Sequence, residues 1–234
     1  MPAYHYTITE RLVNTALRSL FHLLVRLDVD ELRKIPRQGP LLLFTNHINI
    51  VEAPIIYTEL QHIHPRYLTG FAKAEYWDSA AMGFLFRTWD VIPLHRGEAD
   101  LSAIKDAVAR IKAGQIFAMA PEGTRSHTGE MQRAHPGVAM LGYLSGAPII
   151  PMANYGHENY KDDLKHIRRT EFHVRVGPPF HLDSGGRRIN NAVRQQMADE
   201  MMYILAAMLP EKYRGAYADL SQATTQYIVW DTNN

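Results

Sequence analysis

The amino-acid sequence predicts an α/β fold: a single domain with a largely parallel central sheet flanked by helices, plus an N-terminal amphipathic helix. Short apolar runs alternate with helical periodicities along the chain, which is the pattern of a parallel sheet. With 234 residues, of which 46% are hydrophobic, the chain can bury one full core. Three of the apolar runs end in polar clusters, and such strand ends form the ligand crevice of parallel sheets. We therefore divide the chain into a helix at 1–30, the main domain at 31–217 and a C-terminal tail at 218–234.

Composition excludes several classes of function. The chain has no cysteine, so disulfides, thiolate nucleophiles and zinc–thiolate sites are excluded. A net charge of +1 argues against nucleic acid as a partner. No apolar run approaches the roughly 18 residues of a membrane span. The first residues lack a charged region followed by a long apolar one, so we expect no signal peptide.

The first element is a helix predicted from Ile8 to Val29. Its apolar residues form one stripe, made of Ile8, Leu12, Val13, Ala16, Leu17, Leu20, Phe21 and Leu24. The other side carries the polar residues Arg11, Asn14, Arg18, His22 and Arg26. A helix with this division suits a membrane surface that contains anionic lipid. Packing of the stripe on the domain core is the alternative, because amphipathicity alone permits both arrangements.

Apolar runs bounded by glycine, proline and polar residues predict six strands after this helix. They are expected at 41–45, 66–72, 89–94, 115–120, 146–152 and 172–176. Helical periodicity predicts helices at 52–60, 98–112, 137–145 and 190–209, and a polar-to-helical transition over 73–86. The methionines of the last helix are interpreted as core residues.

The first polar cluster combines a histidine with an acid. Asn46 and His47 follow the strand at 41–45, and Glu52 lies five positions after His47. Five residues rotate a helix by roughly 140°, so the two side chains cannot share one helical face. A loop that leads into a helix near Glu52 lets the histidine fold back, and the carboxylate then holds one ring nitrogen while the other is free as a general base. The alternatives are a solvated loop histidine and an acid favoured only by the helix dipole.

The other two clusters contain arginines. They are His95-Arg96-Gly97 after the strand at 89–94, and Pro121-Glu122-Gly123-Thr124-Arg125-Ser126 after the strand at 115–120. In the second, Gly123 permits close backbone approach, the two hydroxyls can donate hydrogen bonds, and Arg125 offers a planar two-pronged donor. If the three strands are neighbours, the three clusters converge and can hold an anion. His62 and His64 suggest no metal site, because no third ligand follows at helical spacing, and we interpret them as loop residues.

These residues resemble the glycerolipid acyltransferase family typified by bacterial 1-acylglycerol-3-phosphate acyltransferase. Four blocks of that family occur in order: Asn46-His47 through Glu52, Val91 to Arg96, Pro121 to Ser126, and Ala147 to Pro151. The resemblance covers roughly 31–176, together with Leu209 to Gly215. The third block is unaltered and is specific in combination with the first, whereas the second and fourth are weak alone. In the first block the family usually has aspartate where this chain has Glu52.

The resemblance implies a mechanism and a set of site residues. His47 takes the proton from a glycerol hydroxyl, which attacks the thioester carbonyl of the acyl donor, and Glu52 orients the imidazole. Arg96 and Arg125 are implied as the clamp for the acceptor phosphate. The remaining substrate-binding residues implied by the blocks are Asn46, Glu122, Gly123 and Thr124, with Glu122 and Thr124 ordering their loop. The Gly123 N–H, or another nearby N–H, would stabilise the tetrahedral oxyanion.

The resemblance also implies the reaction partners. The donor is acyl-CoA or acyl-carrier protein, and the acceptor is lysophosphatidic acid, which becomes phosphatidic acid. No metal or redox cofactor is implied. The implied location is peripheral, on the cytoplasmic face of a bacterial plasma membrane, with the N-terminal helix on the membrane surface.

Two other functions stay open at this point. Another lysophospholipid or a hydroxy-lipid would serve as acceptor with the same chemistry, and the longer Glu52 puts the acceptor in question. A non-catalytic lipid-binding relative is a different class, although the intact His47 and its carboxylate argue against it. A hydrolase is disfavoured because no Gly-x-Ser-x-Gly elbow occurs.

Overall fold

The computed structural model describes residues 6–64, 66–95, 101–126 and 128–231. Within these ranges nine strands form one sheet: β1 (Val25–Asp28), β2 (Leu41–Thr45), β3 (Leu68–Lys73), β4 (Ile92–Leu94), β5 (Ile116–Met119), β6 (Ile149–Tyr155), β7 (Thr170–Val176), β8 (Phe180–Leu182) and β9 (Ile228–Trp230). The α-helices are α1 (Ile8–Leu24), α2 (Glu52–Ile63), α3 (Ala80–Thr88), α4 (Leu101–Lys112), α5 (Gly137–Ser145), α6 (Tyr160–Lys165) and α7 (Asn191–Met208). Short 3₁₀ helices fill several connections. The predicted α/β fold with one sheet and flanking helices is confirmed.

The order of strands places β2 near the middle of the sheet. The path is β1-β7-β6-β2-β5-β3-β4, with β8 paired to β6 and β9 to β8. β2 pairs in parallel with both β6 and β5, and β3 does so with β5 and β4. β1 is parallel to β7, while β6–β7, β8–β6 and β9–β8 are antiparallel pairs. The sheet is therefore largely parallel, with antiparallel pairs at the β6–β9 side.

The β2 strand shows why a run of apolar residues becomes the centre of this fold. Leu41, Leu42, Leu43 and Phe44 are all buried. Successive side chains of a strand point to opposite faces, so Leu42 and Phe44 join the core under α4, α5 and α7, while Leu41 and Leu43 join the core under α2. A strand that is covered on both faces is apolar throughout. Because it is held rigidly in the core, it fixes the position of the polar residues that follow it.

The predicted helix from Ile8 to Val29 was too long. α1 ends at Leu24, and Val25–Asp28 extends into β1, which pairs in parallel with β7 from Val25 opposite Thr170 onward. Residues 25–28 continue the helical periodicity, but they form a strand because hydrogen bonds to β7 stabilise the extended backbone. That partner is present only in the folded sheet. The proposed boundary at residue 30 is therefore wrong, because β1 belongs to the central sheet.

The orientation of α1 differs from that of an ordinary surface helix. Part of its polar side faces the domain: Asn14 accepts a hydrogen bond from the Trp89 indole at 2.8 Å, and Glu59 of α2 contacts both Arg18 and His22. An apolar row points outward instead, with Ile8, Leu12, Leu20 and Leu23 at 79%, 67%, 46% and 70% exposure. Leu17, Phe21 and Leu24 are half-buried against the core. The stripe is therefore divided: one part packs on the domain core, as the alternative expected, and the other part points outward.

The segment after residue 217 is not a tail. β9 pairs with β8, and Tyr227 and Ile228 are buried. The carboxylate of Glu200 on α7 accepts hydrogen bonds from the backbone N–H groups of Gln226 and Tyr227 and from the Thr224 hydroxyl. Residues 218–231 are thus part of the domain, and the last three residues lie outside the described ranges.

The six predicted strands are confirmed with shifts of up to three residues at their ends. The helices at 52–60, 137–145 and 190–209 are confirmed, and the start predicted at residue 98 lies outside the described ranges. Periodicity does not predict α6, β8 or β9, since none of them exceeds six residues. Of the methionines predicted as core residues, Met197 and Met201 are buried and Met208 is partly buried against the core. Among the described helices, none has both the length and the apolar character needed to cross a bilayer.

Candidate active site

The loops that follow β2 and β5 meet because the two strands are parallel neighbours. Phe44 near the end of β2 lies opposite Met119 at the end of β5. The backbone of His47 is then held from both sides by the second loop: its N–H donates to Glu122 Oε1 at 3.0 Å, and its carbonyl accepts from the Ser126 N–H at 2.8 Å. Two of the three predicted polar clusters therefore converge on His47.

The His47 ring is oriented by Glu52, the first residue of α2. Nδ1 of His47 forms a hydrogen bond with Glu52 Oε1. An ionised carboxylate can only accept, so Nδ1 carries the proton and Nε2 has a free lone pair. Nε2 makes no hydrogen bond with any described residue, and the His47 side chain is 28% exposed. This is the geometry of a general base whose substrate side is open.

The Glu52 carboxylate is buried and accepts several hydrogen bonds. Besides His47 on Oε1, its Oε2 accepts from the N–H groups of Ile48 at 2.9 Å and Asn49 at 3.0 Å, and from Nε2 of His157 at 2.8 Å. Burial raises the pKa of the Glu52 carboxyl, but the hydrogen bonds from His157 and His47 outweigh burial and bring it to about 2. Glu52 is therefore ionised at any pH at which the protein works.

Asn46 takes a different role from the one predicted. Its side chain is 2% exposed, its Nδ2 donates to the Asn154 carbonyl at 2.8 Å, and its Oδ1 accepts from the Asn154 N–H at 2.9 Å. The amide thus continues the β2–β6 ladder past the end of the strand. Both of its polar atoms contact Asn154, so the described geometry gives Asn46 a structural role, and its predicted contact with substrate stays a prediction.

Glu122 likewise orders the site from a buried position. Its Oε1 accepts from the His47 N–H and its Oε2 from the Gln132 N–H at 2.9 Å, so it joins the loops after β2 and β5. The prediction that Glu122 orders this loop fits the geometry, whereas direct substrate binding does not, since the residue is 2% exposed. Burial, opposed by the hydrogen bonds from Gln132 and His47, raises the pKa of the Glu122 carboxyl to about 7.

Residues 123–125 arch beside His47 between these two anchors. Gly123 has φ +64°, and a Cβ there would lie 3.0 Å from the His135 ring, so the turn requires glycine. The Gly123 N–H donates to the Ala120 carbonyl at 3.2 Å. The N–H groups of Thr124 and Arg125 form no hydrogen bond within the described part of the chain, and the Arg125 guanidinium has no carboxylate within 4 Å there. The arch therefore offers two backbone donors and one cation next to His47.

Comparison with known proteins agrees with this geometry. The model of the Acyltransferase family matches residues 26–155, more than half of the chain. The chain belongs to the acyltransferase family. A 1-acyl-sn-glycerol-3-phosphate acyltransferase of Bacillus subtilis (strain 168) is 26% identical over 119 residues, which are 51% of this chain and 57% of that protein. The match thus spans little more than half of the relative's length.

A solved structure supports the fold of this acyltransferase. The 1-acyl-sn-glycerophosphate (LPA) acyltransferase PlsC from Thermotoga maritima aligns with a TM-score of 0.61 over 85% of this chain and 80% of that chain. The sequence identity is 19%, so the likeness concerns the arrangement of helices and strands.

The strand that precedes the third predicted cluster is farther from β2 than expected. β4, which precedes His95 and Arg96, is separated from β5 by β3. Neighbouring strands are about 4.8 Å apart, so the end of β4 lies roughly 15 Å from the end of β2 along the sheet. Arg96 itself lies outside the described residues. The three strands are therefore not all neighbours, and the contacts among the described residues join the loops after β2 and β5.

One site residue of this acyltransferase was missed from the sequence. His157 lies two residues after the end of β6 and is fully buried against Glu52. The sequence does show a histidine shortly after the fourth block. Because the strand was predicted to end at Met152, His157 was assigned to a loop and was not considered as a site residue. His62 is exposed and His64 is buried, and no group of three or more potential metal ligands occurs in the described ranges.

The raised pKa of Glu122 predicts a pH dependence of stability. The folded protein holds the Glu122 proton up to about pH 7, whereas the unfolded chain releases it near 4.5. This stabilisation is fully present below pH 4.5 and is lost as the pH rises through 7, by up to about 3 kcal/mol. Urea unfolding at pH 5 and pH 7.5 should show a smaller pH-dependent loss in Glu122→Gln than in the unaltered protein. Equal losses in the two proteins would contradict the assignment.

Proposed function

We propose that this chain transfers a fatty acyl group from acyl-CoA or acyl-carrier protein to the free hydroxyl of lysophosphatidic acid, giving phosphatidic acid. The observation that carries the proposal is the His47 ring, whose Nδ1 is held by the buried Glu52 while Nε2 is open. That arrangement suits proton removal from an alcohol and argues against a protein that only binds lipid. The relatives in Bacillus subtilis and Thermotoga maritima, both described as acyltransferases for this type of acceptor, add support.

The proposed reaction proceeds in one covalent exchange. Nε2 of His47 takes the hydroxyl proton as the oxygen attacks the thioester carbonyl, and the new C–O bond forms a tetrahedral oxyanion. The N–H groups of Thr124 and Arg125 are the donors that we assign to this oxyanion, in place of Gly123, whose N–H is engaged in a turn. The C–S bond then breaks, and the thiolate leaves and receives the proton from His47. Glu52 stabilises the imidazolium in between.

The acceptor's phosphate is proposed to bind at the arch over residues 123–125. Arg125 is half-buried, and no described carboxylate neutralises it, so its charge is available to an anion. Arg96 remains proposed as a second phosphate ligand. A lysolipid that carries a phosphate monoester fits two arginines better than a zwitterionic headgroup does.

A transfer assay with purified protein tests the proposed function. Radiolabelled acyl-CoA and acyl-carrier protein are supplied in turn with lysophosphatidic acid, lysophosphatidylcholine, lysophosphatidylethanolamine and lysophosphatidylglycerol. We expect the highest kcat/KM with lysophosphatidic acid. Faster transfer to another lysophospholipid would change the proposed acceptor and leave the proposed acyl-transfer reaction intact. No transfer with any combination of donor and acceptor would overturn the proposed function.

We also propose that α1 holds the protein on the membrane, at the cytoplasmic face. The outward apolar row of Ile8, Leu12, Leu20 and Leu23 is 46% to 79% exposed, while polar contacts fix the inner side of the helix to α2 and to Trp89. Surface helices of globular proteins normally bury their apolar side, and the reverse orientation suits a lipid surface. A peripheral position brings the site to its lipid acceptor.

Substituting two leucines of this row should weaken membrane binding. Burial of one leucine contributes roughly 1.5–3 kcal/mol, so Leu12→Asp with Leu23→Asp is expected to lower the affinity for vesicles by at least about tenfold. Co-sedimentation with phosphatidylglycerol-containing vesicles measures the effect. Leu144→Asp is the matched control, because Leu144 is 48% exposed on α5, which packs on the other face of the sheet. Equal binding of the three proteins would exclude α1 as the anchor.

A further inference from the structure

A second histidine contacts the carboxylate of the proposed catalytic pair. His157 is 0% exposed, and its Nε2 lies 2.8 Å from Glu52 Oε2. Because the ionised Glu52 can only accept, Nε2 of His157 carries the proton. Nδ1 of His157 makes no hydrogen bond within the described part of the chain. The bond to Glu52 is thus the one hydrogen bond that the described residues show for this ring.

The surroundings of His157 hold its ring in place for this contact. The ring packs on Phe172 of β7, with centroids 4.7 Å apart. Its backbone carbonyl accepts from Asn49 Nδ2 at 2.7 Å, and Asn49 also donates its N–H to Glu52 Oε2 at 3.0 Å. His157 and the loop that carries His47 are therefore joined both through the carboxylate and through Asn49.

The hydrogen bond from His157 restricts the rotation of the Glu52 side chain. Glutamate has one more rotatable bond than aspartate, so its carboxylate can turn away from His47 unless other donors hold it. Two backbone N–H groups, of Ile48 and Asn49, come from the same loop as His47 and move with it. His157 lies two residues after β6, a strand of the central sheet, so its hydrogen bond ties Oε2 to a segment other than the loop of His47.

We propose that His157 is a positioning residue of the acyl-transfer reaction: its Nε2–H holds Glu52 Oε2 so that Oε1 keeps the His47 ring in the tautomer and orientation of a general base. This inference rests on the proposed function for its kinetic consequence, but its structural part, the Nε2–H tautomer and the coupling to His47, is independent of any substrate. His157 does not contact the reacting atoms and acts only through Glu52.

Two substitutions separate positioning from packing. His157→Phe keeps a ring against Phe172 but removes the donor, whereas His157→Gln places an amide N–H₂ near the former Nε2. We expect His157→Phe to lower kcat by about 10- to 100-fold, the usual worth of a hydrogen bond to a charged group, with the KM of both substrates unchanged. His157→Gln should recover most of the loss. Equal kcat in His157→Phe and the unaltered protein, after correction for the folded fraction, would overturn the inference.

A spectroscopic measurement keeps the test valid if no acyl transfer is found. Long-range ¹H–¹⁵N correlation on protein with ¹⁵N-labelled histidine reports the tautomer of each ring. We expect the Nε2–H form for His157 and the Nδ1–H form for His47, and we expect the His47 signals to shift or broaden in His157→Phe and to return in His157→Gln. Unchanged His47 signals in His157→Phe would overturn the coupling. Absence of transfer in the unaltered protein would instead overturn the proposed function alone.

Discussion

Replacing His47 with alanine is expected to lower kcat for acyl transfer by about 10²- to 10⁴-fold, the usual contribution of a general base. The side chain is part-exposed at the mouth of the site, so its removal leaves no buried cavity and the fold should persist. The backbone hydrogen bonds from His47 to Glu122 and from Ser126 to His47 do not depend on the ring and should hold the two loops together. Initial rates with labelled acyl-CoA measure the effect.

His166→Ala is the matched control for this substitution. His166 is an exposed histidine at the end of α6, with 60% of its side chain accessible, and it takes no part in the site. We expect it to keep the rate and the vesicle binding of the unaltered protein. Transfer that survives in His47→Ala at the original rate would refute the assignment of the base and would favour a lipid-binding role for the fold.

Replacing Glu52 with glutamine is expected to affect both catalysis and stability. An amide presents one N–H₂ group, so it cannot accept all four hydrogen bonds that now end on the carboxylate. If that group faces His47, the ring adopts the opposite tautomer, and Nε2 is no longer a base. We expect kcat to fall by about 10²- to 10⁴-fold and the free energy of unfolding to fall by roughly 3 kcal/mol, because buried donors lose their partner.

A second buried glutamate serves as the control for the stability part. Glu200 is 1% exposed and accepts from two backbone N–H groups and a hydroxyl beneath the C-terminal segment, away from the site. Glu200→Gln should lose stability to a similar degree and keep kcat per folded molecule. Glu52→Gln with a normal kcat would show that the histidine works without its carboxylate.

Much of the site could be predicted from the sequence because its residues lie in short, local segments. The apolar run of β2 leads directly to His47, and the loop of residues 121–126 follows β5 in the same way. Both strands were predicted from apolar runs bounded by turn residues, and the resemblance to the acyltransferases indicated that the two loops act together. Where the prediction concerned a contact between two distant segments, it was less successful. Asn46 was assigned to substrate, although its amide pairs with the backbone of Asn154, 108 residues away.

The orientation of α1 shows a similar division. Its apolar stripe and polar side were visible in the sequence, but which side faces the domain depends on partners elsewhere in the chain. Trp89 and Glu59 form the contacts with Asn14, Arg18 and His22 that turn this part of the polar side inward. Amphipathic periodicity predicts that a helix has an apolar and a polar side, but it does not predict which residues each side contacts.

By itself the sequence determined the α/β class, the two loops that carry His47 and Arg125, and the pairing of His47 with Glu52, which are five residues apart. Only the tertiary structure decided that β2 and β5 are neighbours while β4 is not, that β1 and β9 join the sheet, and that His157 holds the far oxygen of Glu52. The physical reason is that local patterns set periodicity, turns and short-range hydrogen bonds, whereas strand order and buried polar contacts arise from segments that meet only when the whole sheet has formed.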